Sequence, residues 1–120
     1  MEKFRTAVLY GADAVYLGGA TGNLRAASRG FSATELREAV KTAAARNVKI
    51  YYCLNSLPFE RDMPDMPGAV EDAADAGVHA FIVADPGVMR LARQYAPHVP
   101  LHISTQANTT NAEAIRFWTD

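Results

Sequence analysis

Cysteine is nearly missing: Cys53 is the only one in 120 residues. That excludes a disulfide framework and a self-contained cysteine metal site. It also makes a reducing cytoplasm the default expectation. No apolar run approaches the roughly 20 residues that a membrane span needs, so no membrane partner is expected. The start, Met1-Glu2-Lys3-Phe4-Arg5, has no apolar stretch of a secretory signal behind it. Without such a signal the sequon Asn108-Thr109-Thr110 carries no meaning. Strong charge is missing too. The net charge is −1, so contact with RNA would need a local patch rather than bulk attraction. The patterns G-x-G-x-x-G, H-E-x-x-H and G-x-S-x-G do not occur. Their absence counts against dinucleotide binding and against the familiar zinc and serine hydrolase sites.

What is present suits one soluble globular domain at most: 49% of residues are hydrophobic and 21% charged. Met1 to Tyr10 has Phe4, Ala7 and Val8 at helical spacing, with Gly11 able to end the helix. Ala14 to Gly19 reads as a buried strand. Ser32-Ala33-Thr34-Glu35 is a capping box for a helix with Leu36, Ala39, Val40 and Ala43 on one face, closed by Asn47. Lys49 to Asn55 is a second strand, rich in β-formers. Ser56 to Pro67 reads as a loop, and a helix runs from about Gly68 to Ala76. Ala80 to Ala84 is the third strand. Asp85-Pro86-Gly87 starts a helix, with Asp as cap and Pro at the first helical position. Its apolar stripe is Val88, Leu91, Ala92 and Tyr95. Leu101 to Thr105 is the fourth strand. Thr110-Asn111-Ala112-Glu113 reads as another capping box, and Ile115 with Trp118 begins an inward face. This α/β alternation implies a parallel sheet with right-handed crossovers. A Rossmann sheet and part of a TIM-like (β/α)8 barrel both fit the order. A whole barrel usually takes about 250 residues.

Ligands in such folds gather at the C-terminal ends of the strands. The candidates there are Gly18-Gly19, Asn55, Asp85 and Ser104-Thr105-Gln106. The two glycines fit either close backbone approach by a ligand or a tight turn. Asn55 fits an amide-binding residue or a turn residue. Asp85 is a helix cap first, and its carboxylate argues against a phosphate at that helix end. Ser104, Thr105 and Gln106 are harder to dismiss. Three polar side chains in a row at the end of a buried strand need partners, at a cost of about 1–3 kcal/mol for each left unpaired. Arg25, in the loop after the first strand, fits an anion ligand or a solvated surface arginine. His79, His98 and His102 have neither metal-ligand spacing nor an evident carboxylate. His102 reads as a hydrogen-bonded structural residue, and Cys53 as a buried inert thiol.

Three segments together carry a resemblance: Tyr10-Gly11-Ala12-Asp13-Ala14-Val15-Tyr16-Leu17-Gly18-Gly19, then Asp85-Pro86-Gly87-Val88, then Pro100 to Asn108 followed by Phe117-Trp118. They resemble the N-terminal half of the collagenase-like bacterial peptidase family of unassigned catalytic type. The branch most similar is the one required for prephenate-dependent hydroxylation of the tRNA wobble uridine. The resemblance implies a single incomplete domain over 1–120, part of a TIM-like barrel lacking its first strand and its C-terminal half. It also implies an iron–sulfur cluster in the complete protein, with ligands outside this chain. Cys53 matches none of those ligands. Arg25, Asn55, Asp85, Ser104, Thr105 and Gln106 match recurrent family positions and are expected to bind substrate, with no catalytic residue assigned. Phe59-Glu60-Arg61 departs from the His-Asn that relatives often carry in that loop. Three functions follow as expectations. One is a part of a tRNA-hydroxylation protein, with tRNA and a small molecule as partners. The others are a part of a peptidase, and a non-catalytic half-barrel that self-associates through open sheet edges.

Overall fold

A computed structural model describes residues 1–22 and 30–119. Four parallel strands form one sheet in the order β1-β2-β3-β4. They are β1 (Ala14–Leu17), β2 (Lys49–Leu54), β3 (Ala80–Val83) and β4 (Leu101–Ile103). Helix α1 (Glu2–Leu9) precedes the first strand. Helices α2 (Ala33–Ala44), α3 (Met66–Ala76) and α4 (Pro86–Tyr95) make the crossovers, and α5 (Ala112–Thr119) follows β4. Sequential order distinguishes this sheet from a doubly wound one, where the order reverses at a switch point.

Register places Val15 beside Ile50, Leu17 beside Tyr52, Tyr52 beside Phe81, and Leu54 beside Val83. Because strand side chains alternate, these residues share one face of the sheet. That face packs against Leu36, Ala39 and Ala43 of α2, Val70 and Ala73 of α3, and Val88 and Ala92 of α4 in one hydrophobic core. The opposite face carries Tyr16, Tyr51, Ile82 and His102. It is more open, with Tyr16 67% exposed and Tyr51 edge-to-face with His102 at 5.0 Å.

The helix ends follow from local chemistry. Glu35 N donates to Ser32 Oγ at 3.2 Å, and Ser32 N donates to the Glu35 carboxylate at 2.9 Å, so the capping box before α2 is complete. Asn47 closes the following turn at φ 55°, the left-handed region that asparagine tolerates better than most residues. Gly77, at φ 87°, ends α3.

Several boundaries differ from the sequence expectation. The loop from Ser56 to Pro67 contains a 3-10 turn, Glu60–Asp65, and α3 begins at Met66 rather than Gly68. Pro67 fits there because first-turn N–H groups have no helical partner to lose. The 3-10 turn is set by Asp62, whose carboxylate accepts from Phe59 N at 2.8 Å. In α4 the buried face includes Met89, while Tyr95 is partly exposed. Asn111, not Thr110, caps α5: Ala114 N donates to Asn111 Oδ1 at 2.9 Å. Glu113 pairs with Arg116 instead of turning back to the cap. Trp118 packs on the core edge, but Ile115 stays exposed. Strand β4 ends at Ile103, and a 3-10 turn, Thr105–Ala107, takes over.

Candidate functional site at the strand ends

The end of β4 departs from the expected strand because Ser104 turns the chain. Its Oγ accepts from Gln106 N at 3.4 Å, the short-range bond that hydroxyls offer a turning backbone. Asn108 closes the turn at φ 53°. Ser104 is buried, whereas Thr105 and Gln106 are exposed. Gln106 Oε1 accepts two hydrogen bonds. One comes from Ser104 Oγ. The other comes from Asn55 Nδ2 at 2.9 Å, across 51 positions of sequence. Asn55 directly follows β2, so this bond ties the tip of β2 to the tip of β4 across the end of β3. Asn55 Oδ1 is buried with no hydrogen-bond partner among the described residues.

These groups border a cleft of about 900 Å³. Its walls include Gly18, Phe31, Asn55, Ser104, Thr105 and Gln106, with Tyr16 and His102 from the open sheet face and Glu2 and Lys3 from the start of α1. Helix α1 reaches this end because a helix feeding a parallel strand runs antiparallel to it. Of the predicted site residues, Asn55, Ser104, Thr105 and Gln106 therefore come together. Asp85 does not line the cleft. Its Oδ1 accepts from Val88 N at 3.0 Å and caps α4. Arg25 lies outside the described residues. The cleft also uses Lys3, Tyr16 and Phe31, which sequence reasoning did not single out. Lys3 and Tyr16 were absorbed into a helix and a strand, and Phe31 lay between elements. The contact of Phe31 with Gly18 and Gly19 and the packing of α1 beside β1 bring them to one wall.

Asp85→Ala should cost about 1 kcal/mol, the usual value of a lost N-cap. Urea unfolding would show it as a lowered midpoint. Asp85→Asn, which keeps the capping oxygen, should stay within a few tenths of the parent protein.

Gly18 and Gly19 serve a backbone contact. Phe31 N donates to Gly18 O at 2.9 Å, and Gly19 bridges Phe31. A Cβ on Gly19 would run into the Tyr52 hydroxyl. Burial pushes the Tyr52 phenol above its ordinary range, and a hydrogen bond with the Gly19 backbone partly opposes that.

Two histidines have defined places in the fold. His79 Nδ1 accepts from Ile50 N at 3.1 Å, which makes Nε2 the protonated nitrogen of its neutral ring. His102, expected to be hydrogen-bonded within its strand, is instead exposed on the open face against Tyr51. Among the described residues no group of three or more His, Cys, Asp or Glu converges. With Cys53 the only cysteine, the residues present do not fit an iron–sulfur cluster. No helix among the described residues is long and apolar enough to cross a membrane.

The chain is similar to several known proteins. "tRNA hydroxylation protein P1" of Bacillus subtilis is 37% identical over 118 residues, covering 98% of this chain and 28% of that protein. "Collagenase" of Porphyromonas gingivalis is 33% identical over 118 residues, again 98% of this chain and 28% of that protein. The chain thus spans about a quarter of the length of these relatives. The solved U32 peptidase Mk0906 superposes with a TM-score of 0.56 at 19% identity, over 87% of this chain and 45% of that one; at that identity the likeness speaks for the fold. Residues 1–120 match the family described as "Peptidase family U32" from end to end, and the chain belongs to that family.

Proposed function

We propose that this chain forms the N-terminal part, without the first strand, of a TIM-like barrel in a protein that hydroxylates a tRNA uridine with prephenate as small-molecule partner. The carrying observation is the strand-end cleft, where Asn55, Ser104, Thr105 and Gln106 gather. Such amides and hydroxyls suit recognition of a planar polar ligand. The name of the B. subtilis relative, matched over 98% of the chain, supports the choice of tRNA. In this reading Arg25 is kept as an anion ligand on its sequence position alone, and Asp85 acts by holding α4 in place. An iron–sulfur cluster would draw its ligands from outside this chain, and the protein would work in the cytoplasm.

A second reading, peptide hydrolysis, has the support of the P. gingivalis relative named "Collagenase". One experiment separates the two. A bacterial strain lacking its own tRNA hydroxylation protein P is given the complete reading frame that contains this chain. Hydroxylated uridine should return in nucleoside digests of its tRNA. No hydroxylated nucleoside, together with gelatin cleavage by the purified protein, would replace the first reading with the second.

A further inference from the structure

We infer that Gln106 is an oriented hydrogen-bond donor, held by Asn55 and Ser104 so that its amide NH2 meets a carbonyl or carboxylate oxygen of the ligand in the cleft. A glutamine amide can point either way, and its neighbours decide which. Here Oε1 already accepts from Asn55 Nδ2 and from Ser104 Oγ. Turning the Gln106 amide by 180° would set its NH2 against the NH2 of Asn55. Turning both amides together would restore that one bond at a different cost. The buried atom of Asn55 would become an NH2 with no acceptor, in place of Oδ1. A buried carbonyl oxygen without a partner is tolerated more often than a buried N–H without one. The observed orientation is therefore the favoured one, and it leaves two N–H donors of Gln106 for the cleft.

The position suits the role. Gln106 is exposed and lines the cleft, while the atoms that orient it come from two strand tips. Donors held in advance lose little freedom when a ligand arrives. Thr105 and Lys3 add further donors on the same walls. Two sources offer the complementary oxygen: a pyrimidine carbonyl of an RNA base, or the carboxylate of a small organic acid. The choice of these two rests on the function proposed above; the orientation of Gln106 does not.

The test uses Gln106→Glu and Gln106→Leu. Glutamate keeps an oxygen for Asn55 and Ser104 but replaces the NH2 with a second, charged acceptor. Leucine removes both functions. Solvent exchange of the Asn55 side-chain amide, followed by NMR without ligand, reads the network. It should be slow in the parent and in Gln106→Glu, and at least several-fold faster in Gln106→Leu. Titration of the complete protein that contains this chain with a uridine-containing anticodon stem-loop RNA, and separately with prephenate, reads the donor. Whichever probe binds the parent protein should bind Gln106→Glu about ten-fold more weakly or worse, and the probe that loses affinity identifies the source of the oxygen. Equal exchange in all three proteins overturns the orienting network. Equal affinity of the parent and Gln106→Glu overturns the donor role while leaving the proposed function intact. A protected Asn55 amide with neither probe bound overturns the proposed function, and with it the assignment of the ligand oxygen.

Discussion

Phe81→Ala is expected to remove most of the stability of this chain. Phe81 sits on β3, one of the two inner strands of the sheet, and is fully buried. Its ring meets Tyr52 edge-to-face at 6.4 Å, so the substitution also strips one side of the only strongly buried phenol among the described residues. Truncating a buried phenylalanine costs about 3–5 kcal/mol, part from lost burial and part from the cavity left behind. Small domains hold only about 5–15 kcal/mol in total, and short chains lie toward the lower end. Urea unfolding followed by circular dichroism should show a collapsed midpoint or no cooperative transition. Tyr95→Ala is the comparison, because Tyr95 is 38% exposed and its loss should change little. A Phe81→Ala protein within about 1 kcal/mol of the parent would mean that the core is not organised around β3.

Gly30→Ala is expected to damage the cleft wall as well as stability. A Cβ at Gly30 would overlap the backbone of Gly19 and Ala20. Backbone cannot rotate out of the way as a flexible side chain can, so the two segments must separate. That separation would stretch the bond from Phe31 N to Gly18 O, now 2.9 Å. It would also move Phe31 away from Phe4, which it meets edge-to-face at 6.4 Å. Overpacking of this kind costs about 1–3 kcal/mol. Hydrogen exchange at the Phe31 amide should rise well above its rate in the parent, with the midpoint of unfolding lowered. Gly68→Ala provides the contrast. Nothing lies within 4 Å of a Cβ there, and Gly68 is inside α3. Alanine in a helix is favoured over glycine by about 0.8–1 kcal/mol, so that variant should gain stability. If the two substitutions had the same effect, close approach at Gly30 would not be the cause.

Much of the fold was legible because its signals are local. The capping box of Ser32 and Glu35, the Asp85-Pro86 start of α4 and the Gly77 stop each depend on neighbours within about four residues. The apolar spacings of α2 and β2 report burial directly, since one face of each must meet a core. Errors arose where a second local solution competed. Thr110 and Asn111 both resemble caps, and geometry chose Asn111. Pro67 looked like loop punctuation yet fits a first helical turn. Ser104 looked like the continuation of β4, but its hydroxyl serves the backbone of Gln106 instead.

The site was legible as residue types at strand ends, not as partnerships. Asn55 and Gln106 stood out for different reasons, one as the polar end of a strand rich in β-formers and one within a polar run. Nothing local says that they touch. Their bond spans 51 positions and exists only because β2 and β4 flank β3 in a parallel sheet of sequential order. By itself the sequence determined the alternation of helix and strand, the buried faces and the family, because periodicity, caps and motifs are written in consecutive residues. Tertiary structure alone decided that Asp85 stands outside the cleft wall and that α1 supplies part of it. It alone decided that the Gln106 amide points one way, since each of these is set by neighbours that only chain crossing brings together.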